Sequence, residues 1–210
     1  MSEAEPPATP HPTLPAAFDL LGVVLAGGKS SRMGIDKATL PHPSSTAAAA
    51  VSYLDHAIAR LRPLVRQVAV SGRPGISGRS GDGAASEIGL LDEQPELGPA
   101  MGVVTALRYA AAQQLSGVLV TPVDMPDITT EHLWQLAEAW LQAQGVVCAS
   151  FDHQRAEPLL AVYPLAVLTE LEQVLATPQR SLNRWIGARQ VTRVDLPVAV
   201  ARNVNRPEDL

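Results

Sequence analysis

The chain has 210 residues, 46% hydrophobic and 18% charged, which suits one domain with a continuous core and excludes a disordered chain. Its net charge of −5 gives no general electrostatic reason to bind nucleic acid or an anionic membrane. A single cysteine, Cys148, excludes an internal disulfide; its apolar neighbours Val146, Val147 and Ala149 mark it as a small buried hydrophobe rather than a nucleophile.

The five histidines (His11, His42, His56, His132 and His153) show no paired ligand spacing, which argues against a zinc site. No apolar run reaches the roughly 18–20 residues of a membrane span. Residues 1–17 read as a disordered tail, with five prolines in the first fifteen positions. No Lys or Arg occurs before position 29, so the start does not resemble a secretory signal, and a cytoplasmic protein is expected. The folded domain is expected over 18–210.

In chain order, Leu20 to Ala26 is a short apolar run closed by Gly27-Gly28, as in a buried parallel strand. Residues 46–62 form an alanine-rich helical candidate stopped by Pro63, and Val65 to Ser71 reads as a second strand. Five glycines between 72 and 87 predict a surface loop, and Ile88 to Leu91 a short strand. Gly98-Pro99 opens a helix over 99–114, since proline is tolerated in a first turn. Gly117 to Pro122 is another buried strand, leading to Asp124-Met125-Pro126.

Thr129 or Thr130 caps the next helix, whose apolar side carries Leu133, Trp134, Leu136, Ala137 and Leu141. Val146 to Ser150, Pro158 to Tyr163 and Val191 to Leu196 supply further strands, with helices near 165–176 and 181–187. Strands alternating with helices predict a three-layer α/β architecture, an open and mostly parallel sheet with helices on both faces.

The chemistry concentrates in one loop. Sheets of this kind bind nucleotides at the carboxyl ends of their strands, often on a glycine-rich turn after the first strand. Here that turn reads Leu25-Ala26-Gly27-Gly28-Lys29-Ser30-Ser31-Arg32-Met33-Gly34-Ile35-Asp36-Lys37. The glycines let backbone amides approach a ligand, and Arg32 and Lys37 can neutralise phosphate oxygens. The chain has fourteen arginines but only two lysines, Lys29 and Lys37, both in this loop, which points to a local need for a compact ammonium. A P-loop does not fit: counting from Gly22, the segment is one residue too long before Lys29-Ser30. The loop also lacks the Gly-x-Gly-x-x-Gly of dinucleotide-binding oxidoreductases.

This string resembles the signature of the molybdenum cofactor guanylyltransferase family, Leu-Ala-Gly-Gly-x-Ser-x-Arg-Met-Gly-x-Asp-Lys, at every defined position. Further pieces follow in the family's order. They are Asp92 with Gly98-Pro99-Ala100-Met101-Gly102, then Pro122-Val123-Asp124-Met125-Pro126, then Glu157 to Tyr163, and finally Asn203-Val204-Asn205-Arg206-Pro207-Glu208-Asp209-Leu210. The resemblance covers about residues 20–210 and implies a Rossmann-like nucleotidyltransferase fold. It implies that the backbone of Leu25, Ala26, Gly27 and Gly28 holds base and ribose, with Ser71 at the nucleotide, while Arg32 and Lys37 hold the triphosphate. It further implies that Asp92 accepts hydrogen bonds from guanine, that Asp124 binds Mg²⁺ and nucleotide, and that Asn203 and Asn205 lie near the acceptor or metal. The implied catalytic set is Arg32, Lys37 and Asp124. The substrates would be GTP and molybdopterin, with no nucleic acid or membrane partner, in a monomer or small homo-oligomer.

Three positions depart from the family. Pro41-His42-Pro43 replaces a Gly-x-Pro-Leu segment, Ser71 stands where an asparagine is frequent, and Glu157 stands where a basic residue is usual. Two alternatives stay open. A relative could use CTP or another nucleotide with molybdopterin or a sugar or alcohol phosphate, though cytidylyl-transferring relatives usually resemble Leu-Ala-Ala-Gly where this chain has Leu25-Ala26-Gly27-Gly28. A non-catalytic nucleotide-binding relative is opposed by the joint presence of Arg32, Lys37 and Asp124.

Overall fold

The computed structural model describes residues 17–27, 37–43, 51–72, 87–143, 145–153 and 155–204. The strands within them are β1 (Phe18–Leu25), β2 (Val65–Ser71), β3 (Ile88–Leu90), β4 (Gly117–Pro122), β5 (Val147–Ser150), β6 (Ala156–Pro164) and β7 (Thr192–Asp195). They form one sheet in the order β3-β2-β1-β4-β6-β5-β7. The helices are α1 (Tyr53–Leu61), α2 (Pro99–Ala112), α3 (Thr130–Ala143), α4 (Leu168–Leu175) and α5 (Leu182–Gly187).

β1 is buried everywhere except Asp19, and β4 at all six positions. Burial on both faces is why both read as continuous apolar runs, the mark of central strands in a covered sheet. Successive side chains part to opposite faces. Leu20, Val24, Leu119 and Val162 pack with α1 and α3, while Val23, Val118, Val120 and Ala161 pack with α2, α4 and α5. Three layers result. Cys148 lies fully buried in the second of these cores, and burial pushes its thiol up to about 12, as an inert hydrophobe requires.

The sheet is mostly parallel, with one reversed strand. β6 runs antiparallel to both β4 and β5, whereas β1–β2, β1–β4, β2–β3 and β5–β7 are parallel. The link from β5 to β6 is too short for a parallel crossover, which takes about a dozen residues or more, so the chain turns back on itself. From β1 the chain moves outward to β2, and from β3 it returns through α2 to β4 on the other side of β1. Strand order therefore reverses between β1 and β4, which opens a crevice at their carboxyl ends.

Two expectations change. The helix expected from residue 46 begins at Tyr53, because Ser52 caps it: Ser52 Oγ accepts from Asp55 N at 3.1 Å, and Asp55 Oδ2 accepts from Ser52 N at 3.3 Å. Residues 44–50 lie outside the described residues, as do 1–16 and 73–86, where the tail and the glycine-rich loop were placed. Leu141, expected on the apolar side of α3, is 52% exposed. The buried stripe runs through Leu133, Leu136 and Ala137 and continues at Trp140, one step round the helix from Leu141.

The capping box gives a direct expectation. Ser52→Ala removes the acceptor that satisfies an N-terminal amide of α1, and stability should fall by about 1 kcal/mol. For a domain of this size that is a drop in melting temperature of about 2–4 °C by calorimetry. An unchanged melting temperature would mean that α1 is fixed by packing alone.

Candidate functional site

The carboxyl ends of β1, β2 and β4 are stitched together at Leu25. In register it lies between Ser71 of β2 and Pro122 of β4. Beyond it, Ala26 N donates to Ser71 O at 3.1 Å, and Val123 N donates to Leu25 O at 3.2 Å. Gly72 N in turn donates to Leu90 O of β3 at 3.1 Å. The chain leaving β1 presses directly on the chain leaving β2. Gly72 has φ +84°, and a Cβ there would lie 2.4 Å from Gly27 Cα and 2.7 Å from Gly27 N. Only a residue without a side chain fits at 72, and the main chain at Gly27 stays exposed at the crevice.

One strand further out, Asp92 follows β3 and meets β2. Ser71 Oγ, 2% exposed, donates to Asp92 Oδ1 at 3.2 Å. The first turn of α2 crosses just above: a Cβ on Gly102 would lie 2.6 Å from Ser71 Oγ and 3.2 Å from Leu25 Cδ2. Gly102 is thus the position that lets α2 lie close while the serine hydroxyl stays turned toward Asp92. Burial raises the pKa of Asp92, and the hydroxyls of Ser71 and Thr105 pull it partly back. Asp92 is a half-buried carboxylate with room for more hydrogen-bond donors than these two supply.

On the other side of the crevice, Asp124 follows β4 by two residues, and Val204 N donates to its main-chain oxygen at 2.9 Å. That bond brings Asn203, which is exposed, alongside the Asp124 turn. A second carboxylate reaches the same place from β6. It is Glu157, on the strand that pairs antiparallel with β4, and it stands close enough to Asp124 for their charges to interact. Burial raises the pKa of Glu157 first, and the charge of Asp124 adds to the rise; the Leu159 amide and Arg155 oppose it. Glu157 Oε1 accepts from Leu159 N at 3.1 Å.

The structure therefore gathers Leu25, Ala26, Gly27, Ser71 and Asp92 on one side of β1, and Asp124 and Asn203 on the other. Lys37 opens a short 3-10 turn, Lys37–Thr39. Its side chain, together with Gly28, Arg32 and Asn205, lies outside the described residues. The sequence motif includes Gly102 without showing its packing role, and Arg60 is absent from the sequence-based candidates. Arg60 Nη1 donates to Met125 O and Pro126 O at 3.0 and 3.2 Å, in the turn after Asp124. Its signal was available, because Tyr53, Ala57 and Arg60 fall at i, i+4 and i+7, a buried stripe on which an arginine is out of place.

The raised pKa of Asp92 has a measurable sign. A carboxyl whose native pKa exceeds its unfolded value of about 3.8 stabilises the fold most when protonated, and that stability is lost as pH rises through the raised native value. Asp92→Asn keeps the shape without the charge. Its melting temperature relative to the parent protein should therefore climb as pH rises from about 3.8 through the raised native value and then level off. A difference that stays constant over that range would show that Asp92 is not held above its ordinary value.

The MobA-like NTP transferase domain model matches residues 22–194. A protein of Rhodopirellula baltica named a probable molybdenum cofactor guanylyltransferase is 39% identical, over 97% of this chain and 94% of that one. One of Opitutus terrae with the same name is 35% identical, over 92% and 94%. Among solved structures, molybdopterin-guanine dinucleotide biosynthesis protein A of Archaeoglobus fulgidus superposes with a TM-score of 0.69 at 22% identity, covering 90% of this chain and 94% of its own. That likeness shows the shared fold, and the sequence matches go further: the chain belongs to the MobA-like NTP transferase family and is a nucleotidyltransferase.

Proposed function

We propose that this enzyme transfers GMP from GTP to the terminal phosphate of molybdopterin and releases pyrophosphate. The relatives named as molybdenum cofactor guanylyltransferases support the overall reaction. The single observation that carries the nucleotide choice is the Ser71–Asp92 pair beside the β1 crevice. Guanine presents two adjacent donors on its pairing edge, N1–H and the amino group, and a carboxylate is an acceptor-only partner for both. Those donors would favour the ionised form of a carboxylate that burial disfavours, so guanine binding and Asp92 ionisation support each other.

The backbone of Leu25, Ala26, Gly27 and Gly28 holds the base and ribose in this reading, and Arg32 and Lys37 hold the triphosphate. Transfer then needs an acceptor phosphate oxygen in line with the α-phosphorus. The new P–O bond forms as the bond to the β-phosphate breaks, and pyrophosphate leaves. No covalent enzyme intermediate is required, so positioning and charge stabilisation carry the rate. In this reading Lys37 and Arg32 supply cationic donors to the phosphoryl oxygens, and Asn203 and Asn205 are assigned to the acceptor or metal.

Mg²⁺ is the cofactor this reading assigns, with Asp124 as its protein ligand. The residues fit it: carboxylate oxygen is the hard donor Mg²⁺ takes alongside substrate phosphates, and a cation would relieve the repulsion between Asp124 and Glu157. When bound, the ion offsets the charge of triphosphate and acceptor phosphate. Asp124→Asn keeps the size and removes the charge. Turnover, followed as pyrophosphate release from GTP and molybdopterin, should fall by about two orders of magnitude or more with the melting temperature preserved. Near-normal Mg²⁺-dependent release by a folded Asp124→Asn protein would contradict the reading.

A further inference from the structure

Arg60 is 5% exposed on the buried side of α1. A guanidinium in that position is costly unless its donors are met, and here one nitrogen carries the bonds while Nε and Nη2 are buried without a hydrogen-bond partner. Its Nη1 donates to three main-chain carbonyls: Met125 O at 3.0 Å, Pro126 O at 3.2 Å, and Ile128 O. All three belong to the turn that leaves β4 directly after Asp124. Carbonyls that converge on one nitrogen fix the path of the main chain between them, and these span residues 125–128.

The same turn is tied from its other flank. Arg202 Nε donates to Asp127 Oδ2 at 2.8 Å, and Val204 N donates to Asp124 O at 2.9 Å. The surroundings keep Arg60 the local cation. Burial brings its guanidinium down to about 10, with Asp127 acting the other way, so it stays protonated at neutral pH. His42 and His56 stack beside it with ring centroids 3.7 Å apart. Burial, and then the charge of Arg60, hold both below the ordinary imidazole range, His56 at about 4. His132, on α3, is lowered by burial first, with Glu131 raising it and Arg60 lowering it.

We propose that Arg60 is a positioning residue for nucleotidyl transfer: by gripping the carbonyls of Met125, Pro126 and Ile128 it sets the turn that presents the Asp124 carboxylate, and through it the strength of metal–nucleotide binding. Arg60 acts through Asp124 and not by touching substrate. The inference rests on the reading of Asp124 as the metal carboxylate. A role confined to holding the fold together would leave metal affinity untouched in any variant that folds, which separates the two.

The test uses the full chain and Mn²⁺ as a spectroscopic stand-in for Mg²⁺, since both are hard cations that take oxygen ligands. Mn²⁺ binding is measured by electron paramagnetic resonance with GTP present, for the parent protein, Arg60→Lys, Arg60→Met, Asp124→Asn and the Arg60→Lys/Asp124→Asn double variant. Arg60→Lys keeps a cation, but its ammonium ends about one bond short of the Nη1 position on which the three carbonyls converge, so Mn²⁺ affinity should fall about tenfold, and further in Arg60→Met. Metal-free GTP affinity should stay within about twofold, and amide exchange across 125–128 should quicken. In the Asp124→Asn background, Arg60→Lys should cost no further Mn²⁺ affinity, because the two act in series.

Should Arg60→Met fail to fold, Arg60→Lys still decides the question. Unchanged Mn²⁺ affinity in folded Arg60→Lys, or an equal loss with and without Asp124, would overturn the inference while leaving the metal role of Asp124 standing. Parent-like Mn²⁺ affinity in Asp124→Asn would overturn the metal reading itself, and the role of Arg60 with it.

Discussion

The site depends on β1 having parallel neighbours on both sides up to its last residue. Leu25 is paired with Ser71 and with Pro122, and the amide of Ala26 and the carbonyl of Leu25 then bond outward to β2 and β4 respectively. Those bonds bring three strand ends to one level and part the chains that leave them. The β2 exit must pass over the β1 exit, and it can do so only with glycine at 72, where a Cβ would meet the main chain of Gly27. What results is a strip of accessible main chain flanked by Asp92 on the β2–β3 side and Asp124 on the β4 side. In the proposed reading, a nucleotide laid along that strip would have its base near the first carboxylate and its phosphates near the second, which is the order the reaction needs.

Both sides of the crevice hold carboxylates that their surroundings do not fully satisfy. Burial raises Asp92 despite two hydroxyl donors, and it raises Glu157 with Asp124 adding to the effect. Each of these two carboxylates costs stability when ionised, and each would be relieved by the partner proposed beside it, hydrogen-bond donors at Asp92 and a cation near Glu157. The free energy withheld from the fold thus becomes available to binding. The Glu157 position also gives a physical sense to the departure from the family's usual basic residue: at the sheet end it adds negative charge beside Asp124, where a cation is expected.

The elements legible in the sequence were those whose signal is local. β1 and β4 are apolar on both faces and closed by Gly27 and by Pro122, so their boundaries came within two residues. The start of α1 was misjudged because alanines before Ser52 have high helix propensity, while the Ser52–Asp55 capping box sets the boundary. The direction of β6 depends on the short link from β5, not on its composition. In the candidate site, Leu25 to Gly27, Asp92 and Asp124 could be nominated from the sequence because motif and strand end coincide. Arg60 could not be given a role, because its partners are main-chain carbonyls more than sixty residues away, and carbonyls leave no trace in a sequence. Gly102 was visible only as part of a motif; the reason for it, the approach of α2 to Ser71, is a packing fact.

The central claim is that Asp92 makes this a guanine-reading enzyme. The most direct measurement offers the purified protein equal GTP and CTP with molybdopterin and Mg²⁺ and identifies the nucleotide joined to the pterin. A carboxylate that meets two adjacent guanine donors, and that would find in cytosine one amino donor beside the N3 and O2 acceptors, discriminates by a hydrogen-bonding mismatch rather than by size. The account predicts that the guanine product exceeds the cytosine product by about a hundredfold or more, and that Asp92→Ala erodes this ratio. Comparable amounts of the two products, or a cytosine product in excess, would contradict it.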